Sequence, residues 1–203
     1  MVLLNKSSEN EMVSLFLIEE IKSERWKDKI IKILEDENID INLVLEPNLN
    51  DIKENKTREK ILRKFRGYNN KELFENFPKK IDWNWALLDN NDILRIKYIT
   101  YSYWEELTNG TRLAKDSVKN IKNNIEIFGV SNNGFIEISE YIKNGNKFDP
   151  LIILAPLEKK DNMIVLEGRA RLTAINLAID YITELKVLIG FVEEEILNKW
   201  EKY

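Results

Sequence analysis

The run Met163-Ile164-Val165-Leu166-Glu167-Gly168-Arg169-Ala170-Arg171-Leu172-Thr173-Ala174 holds the densest set of chemistry-bearing residues in the chain. An apolar stretch ends in Glu167-Gly168, and a helical pattern containing Leu172, Ile175, Leu177 and Ala178 begins directly after it. A strand that enters a helix through glycine presents the first-turn amides and the positive dipole end, which suits an anion. Gly168 lets backbone and ligand approach closely. Arg171, one turn in, is placed for a forked, charge-assisted grip on phosphate, and Arg169 adds a second positive group. Glu167 sets a carboxylate beside them, suited either to holding Mg²⁺ or to taking a proton from a substrate hydroxyl. The same residues also fit a tight turn with solvated arginines, and the motif alone does not separate the two.

Arg112 follows Asn109-Gly110-Thr111 and reads as the start of a helix, where the dipole disfavours a cation. It is therefore expected as a further phosphate ligand. Lys53, Lys56, Arg58, Lys60, Arg63, Lys64 and Arg66 form a basic cluster opposite Ile61, Leu62 and Phe65. A solvated helix face accounts for it, and a nucleic-acid or phosphate contact is the alternative. Arg66, at a helix end, is within reach of a site, although basic residues there also serve as ordinary caps. Trp83, Trp85 and Trp104 are expected in packing rather than as stacking platforms. Glu19-Glu20 and Glu193-Glu194-Glu195 read as solvated or capping acids, which leaves Glu167 as the catalytic candidate.

Composition limits the chemistry further. The 203 residues include no Cys and no His, so thiolate nucleophiles, thiolate zinc sites and imidazole bases are excluded. Reaction must rest on carboxylates, Lys, Arg, Tyr, Ser or Thr, with Mg²⁺ as the suitable ion. A net charge of −4 argues against a dedicated DNA-coating protein. No apolar run approaches the roughly 18–20 residues that cross a bilayer, and Met1 to Leu4 is too short for a secretory signal. A cytoplasmic protein without a membrane partner is expected.

The elements that must position these groups are mostly helical at first. Ser8-Glu9-Asn10-Glu11 has capping-box spacing ahead of a helix over 9–22. Further helices are expected from near Ser23, then over 50–66 with Gly67 as C-cap, 71–76, 89–107 and 113–128; 39–45 reads as a short strand. After Gly134 the pattern becomes mixed: a helix over 135–143, strands at 151–154, 163–166 and 185–189, the helix opened by Gly168, and a last helix over 193–200. The expected class is α+β, with a largely helical region over 1–133 packed on a small mixed-sheet domain over 134–203, the two able to form one unit.

Ile138 to Gly145, then Phe148-Asp149-Pro150-Leu151-Ile152-Ile153-Leu154, then Glu167-Gly168 to Ala174 resembles the ParB/sulfiredoxin superfamily over about 135–190. The family pattern is a short helix ending in Gly, a strand led by Pro, a hairpin, and an acidic-Gly-x-x-Arg turn opening a helix. Its members include CTP-binding ParB proteins, ATP-using sulfiredoxins, free serine kinases and nucleases, which share a nucleotide phosphate held at this turn. The resemblance implies phosphate binding at Gly168 and Arg171 and an acidic role for Glu167. Sulfiredoxins carry their catalytic Cys where Arg169 stands, so that activity is not expected. Glu54-Asn55-Lys56-Thr57-Arg58 matches a second ParB box but lies upstream of the turn, and no helix-turn-helix pattern follows the turn, so a partitioning role is not expected. The implied function is nucleotide phosphate binding (a di- or triphosphate with Mg²⁺) in a phosphotransferase or nucleotidase. A DNA-associated or nucleic-acid-processing protein and a non-catalytic nucleotide-sensing or partner-binding module are the alternatives, with a homo-oligomer as a further partner class.

Overall fold

The computed structural model describes residues 1–69, 71–157 and 162–201. Its centre is a five-stranded mixed sheet of order β1-β2-β5-β3-β4, built from β1 (Val2–Lys6), β2 (Asp82–Leu88), β3 (Leu151–Pro156), β4 (Ile164–Glu167) and β5 (Leu185–Val192). Central β5 pairs antiparallel with β2 and parallel with β3, whereas β1–β2 and β3–β4 are antiparallel. The expected hairpin joining β3 to β4 turns through 158–161, which lie outside the described residues.

Alternation along the strands divides the interior in two. Ile152, Leu154, Ile164, Leu166 and Leu188 face one layer, with α1 (Glu9–Lys22), α2 (Lys27–Asp36) and α4 (Ile52–Arg66) packed together there. Leu151, Ile153, Val165, Val187 and Ile189 face the other, with α8 (Asn133–Lys143) and α9 (Arg169–Leu177) in contact. A sheet covered on both faces explains why β3 and the stretch of β5 after Lys186 read as apolar runs. The α+β class stands. Because β1 and β2 join the same sheet as β3–β5, the expected helical region and mixed-sheet domain share one sheet, and both core layers draw residues from each.

The capping signals act where the sequence places them. Ser8 accepts from the Glu11 amide, Asp51 from those of Lys53 and Glu54, and Gly67 closes α4 at φ 74°. Two expected elements are overturned. The strand at 39–45 is the short helix α3 (Asn42–Leu45), started by the Asp40 carboxylate, which accepts from the Asn42 amide at 2.8 Å. The long helix over 89–107 is split into α5 (Asn90–Ile93) and α6 (Ser102–Leu107). Between them the backbone of Lys97 bonds to Met163 and Val165, extending the sheet past β4. The free edge of β4 outcompetes helix there because Arg95 to Tyr101 is rich in β-branched and aromatic residues. The helix over 113–128 shortens to a 3₁₀ turn and α7 (Ser117–Lys122). The chain's last described helix is α10 (Glu194–Trp200). Among the described residues, no helix is long and apolar enough to cross a membrane.

Candidate functional site

The β4–α9 turn forms as the sequence indicates: Glu167 ends β4, Gly168 takes the left-handed conformation at φ 94°, and Arg169 opens α9. No side chain caps this helix start, and the first bond back to the turn is Leu172 N–H to Gly168 C=O at 2.8 Å. The first-turn amides remain available to an anion. A Cβ on Gly168 would come within 2.4 Å of Leu151 Cδ2 and close to the Arg171 guanidinium, so the turn requires glycine for space as well as for φ.

Two adjoining clefts meet at this helix start and share Arg25, Trp26, Trp104, Arg169 and Ala170. One, of about 580 Å³, is lined by Glu19, Glu20, Asp149 and residues 167–171. The other, of about 530 Å³, adds Arg66, Tyr101, Val130 and Phe135.

The structure distributes the expected site residues unevenly. Glu167, Gly168, Arg169 and Arg171 line the first cleft together. Arg171, expected to grip phosphate, instead bonds two carboxylates, Glu19 from α1 and Glu167 from its own turn. Burial works against its charge, but Glu167 and Glu19 outweigh that and raise its pKa. The network continues outward, since Lys22 bonds Glu19 at 3.2 Å and Asp149 at 2.9 Å. Arg171 therefore ties α1 to the β4–α9 turn. Arg112 does not line either cleft. It sits outside any helix at φ 59° and donates to Thr100 Oγ1 at 2.9 Å and to Glu201 at 3.2 Å, fixing the end of α10. Its expected role as a phosphate ligand is replaced by this clamp.

Arg169 is half-buried, and its guanidinium donates only to Leu166 C=O, at 3.1 Å. Burial lowers its pKa, and the neighbouring charge of Arg66 lowers it further. Arg66, at the end of α4, is only 8% exposed, has an Nε without a hydrogen-bond partner, and lies 4.6 Å over the Trp26 ring. Arg25 covers the same ring at 4.7 Å. Neither Arg66 nor Arg169 forms an ion pair with another described residue. Buried Arg66 and half-buried Arg169 repel each other beside uncapped helix amides, Glu167 and Glu20 offset part of that charge, and an anion there would add hydrogen bonds to both guanidiniums.

The acid pair Glu19-Glu20, read from sequence as solvated or capping, is buried at 8% and 5% exposure and faces the cleft. The signal for this lies in the helix period, because both follow Phe16 and Leu17 onto the inner side of α1. The Glu20 carboxyl makes no hydrogen bond or ion pair among the described residues. Desolvation, and secondarily the charge of Glu167, raise its pKa to about 7. Desolvation also raises that of Glu19, against the opposing effect of Arg171. Glu167, the expected metal ligand, is bonded to Arg171, and among the described residues no group of three acidic side chains is arranged to hold a metal ion.

On the basic helix α4, Lys53, Lys56, Lys60, Arg63 and Lys64 are exposed, whereas Arg58 and Arg66 are buried. Arg58 is fully buried and donates to Leu43 C=O, Asn48 C=O and Asn55 Oδ1, while Lys60 and Lys64 both bond Glu37. Trp83 packs in the core, and Trp85 donates to Glu11 at 3.1 Å, as packing residues should. Trp104 also packs, against Tyr98, Tyr103 and Phe135, and in addition lines both clefts.

No protein-family model, curated protein or solved structure matches this chain.

Proposed function

We propose that the chain is a nucleotide phosphate-binding protein of ParB/sulfiredoxin type whose reaction is phosphoryl transfer or nucleotide hydrolysis. One juxtaposition carries the reading. The uncapped start of α9 opens between Arg66 and Arg169, which lack carboxylate partners, and a phosphate there would satisfy the amides and both guanidiniums together. Arg171 holds the turn in shape and leaves the phosphate to these two arginines.

Glu20 takes the chemical role first expected of Glu167. Glu167 is committed to Arg171, whereas Glu20 is unpartnered, and a pKa of about 7 suits a general base at neutral pH. In that step a water or acceptor hydroxyl forms a bond to phosphorus, its proton passes to the Glu20 carboxylate, and the bond to the leaving phosphate breaks. No acidic cluster among the described residues is arranged to hold Mg²⁺, so an ion that neutralises phosphate charge would have to enter with the nucleotide. The exposed lysines of α4 line neither cleft, so a nucleic-acid reading would rest on a surface apart from this site.

The test is a thermal-shift screen of nucleoside di- and triphosphates and inorganic phosphate, with and without Mg²⁺, on wild type, Arg169→Ala and Arg66→Ala. Stabilisation of the wild type that shrinks in both variants supports the reading, since a ligand at 100 times its Kd stabilises by about 2.7 kcal/mol. Equal stabilisation in all three proteins counts against it.

A further inference from the structure

We infer that Trp104 is a stacking platform for the ligand's planar ring, so that the site holds a mononucleotide by its base as well as by its phosphates; this rests on the phosphate reading of the α9 turn. Trp104 is half-buried and lines both clefts together with Arg169 and Ala170. Beneath it lies the fully buried Tyr98 ring, stacked at 4.3 Å with an interplanar angle of 20°. Tyr103 meets Trp104 edge-on at 4.9 Å. The stack is coupled to the phosphate end, because Tyr98 Oη and Thr173 Oγ1 share a 2.7 Å hydrogen bond and Thr173 donates to Arg169 C=O at 2.9 Å. The indole is thus locked to the helix whose first turn faces the phosphate, and such preorganisation lowers the entropic cost of binding.

Trp26, the other tryptophan that lines both clefts, is not equivalent. Arg25 and Arg66 both lie over Trp26, so that ring holds cations in place. Around Trp104, by contrast, Tyr101, Val130 and Phe135 line a cleft of about 530 Å³, within the size range of small-ligand pockets. Arg66 and Arg169 at its inner end complement phosphate charge. A cleft of that size accommodates one nucleotide rather than a continuing polynucleotide, so a mononucleotide is the favoured occupant.

The test titrates ATP, GTP, CTP and UTP, inorganic triphosphate and oligothymidylate into wild type and Trp104→Leu by calorimetry, alongside tryptophan fluorescence of the wild type. Wild type should bind at least one nucleotide about tenfold or more tightly than inorganic triphosphate, consistent with the contribution of one stacked base. Trp104→Leu should abolish that difference while triphosphate affinity stays unchanged. Nucleotide should quench fluorescence and triphosphate should not. If Trp104→Leu fails to fold, Trp104→Phe and the wild-type quenching decide: partial retention with ring-dependent quenching supports the platform, and quenching equal for nucleotide and triphosphate overturns it. Triphosphate bound as tightly as every nucleotide would overturn the platform and leave the phosphate site standing. Binding of neither would overturn both, and preference for oligothymidylate would overturn the mononucleotide assignment.

Discussion

Replacing Glu20 by glutamine should stabilise the protein at alkaline pH and leave its stability nearly unchanged near pH 4.5. Folding carries the carboxyl from its ordinary pKa of 4.5 to about 7, chiefly through burial and then through the charge of Glu167. Between those values the native state binds more protons than the unfolded chain, so stability falls as pH rises. At about 1.4 kcal/mol per pH unit, the loss approaches about 3 kcal/mol once the pH passes 7. Glutamine mimics the protonated carboxyl and removes that decline, while all other titrating groups remain in both proteins. Urea denaturation of wild type and Glu20→Gln at pH 4.5, 6 and 8 measures the difference directly. The advantage of the variant should be small at pH 4.5, intermediate at 6 and about 3 kcal/mol at 8. A difference that does not change with pH, or a variant less stable at pH 8, would refute the claim that Glu20 is an unpartnered buried acid.

Other substitutions probe the same frame. Arg171→Ala leaves Glu19 and Glu167 facing each other without their cation, and should cost about 3–5 kcal/mol in denaturant titrations. That outcome distinguishes a structural tie from a phosphate ligand, whose removal would spare stability. Gly168→Ala combines an unfavourable φ with a 2.4 Å approach to Leu151 and should cost about 2 kcal/mol or more, whereas Gly110→Ala, with open space around it, should cost only about 1–2 kcal/mol for the backbone conformation. Arg58→Ala should destabilise by about 3 kcal/mol or more, because the buried backbone acceptors at Leu43 and Asn48 lose their donor. With an active substrate in hand, the rate of the wild type should rise with pH through about 7, as Glu20 ionises to act as base, and Glu20→Gln should lose about 10²–10⁴-fold in a single-turnover assay.

The strands at 151–154 and 163–166 were legible because two-sided burial writes a plain apolar run, and 185–189 because only Lys186 interrupts one. The turn between Glu167 and Arg169 was legible because glycine and a change of period mark it. β1 and β2 were harder to see. Val2 to Leu4 is a short edge strand with exposed side chains, and the alternation of Trp83 and Trp85 is confined to seven residues. Lys97 shows how tertiary pairing overrides a helical period, since the Ile93, Ile96 and Ile99 spacing looks helical until the β4 edge claims the backbone between them. At the site, the turn could be read, but which arginine was free could not. Arg171 and Arg169 are two residues apart and chemically alike, and only the placement of Glu19, far earlier in the chain, decides that the first is tied. Glu20 and Arg66 gain their meaning in the same way, by being buried where no oppositely charged side chain among the described residues pairs with them.

The account rests on the claim that Arg66 and Arg169 await a phosphate at the start of α9. Isothermal titration of inorganic triphosphate, and of the nucleotide that stabilises the protein most, into wild type, Arg66→Ala and Arg169→Ala tests it most directly. Each variant should lose about 1.5–3 kcal/mol of binding free energy, the range for a hydrogen bond to a charged group, while retaining the wild-type fold by circular dichroism. Affinity unchanged in both folded variants, or a wild type that binds no phosphate compound, would contradict it.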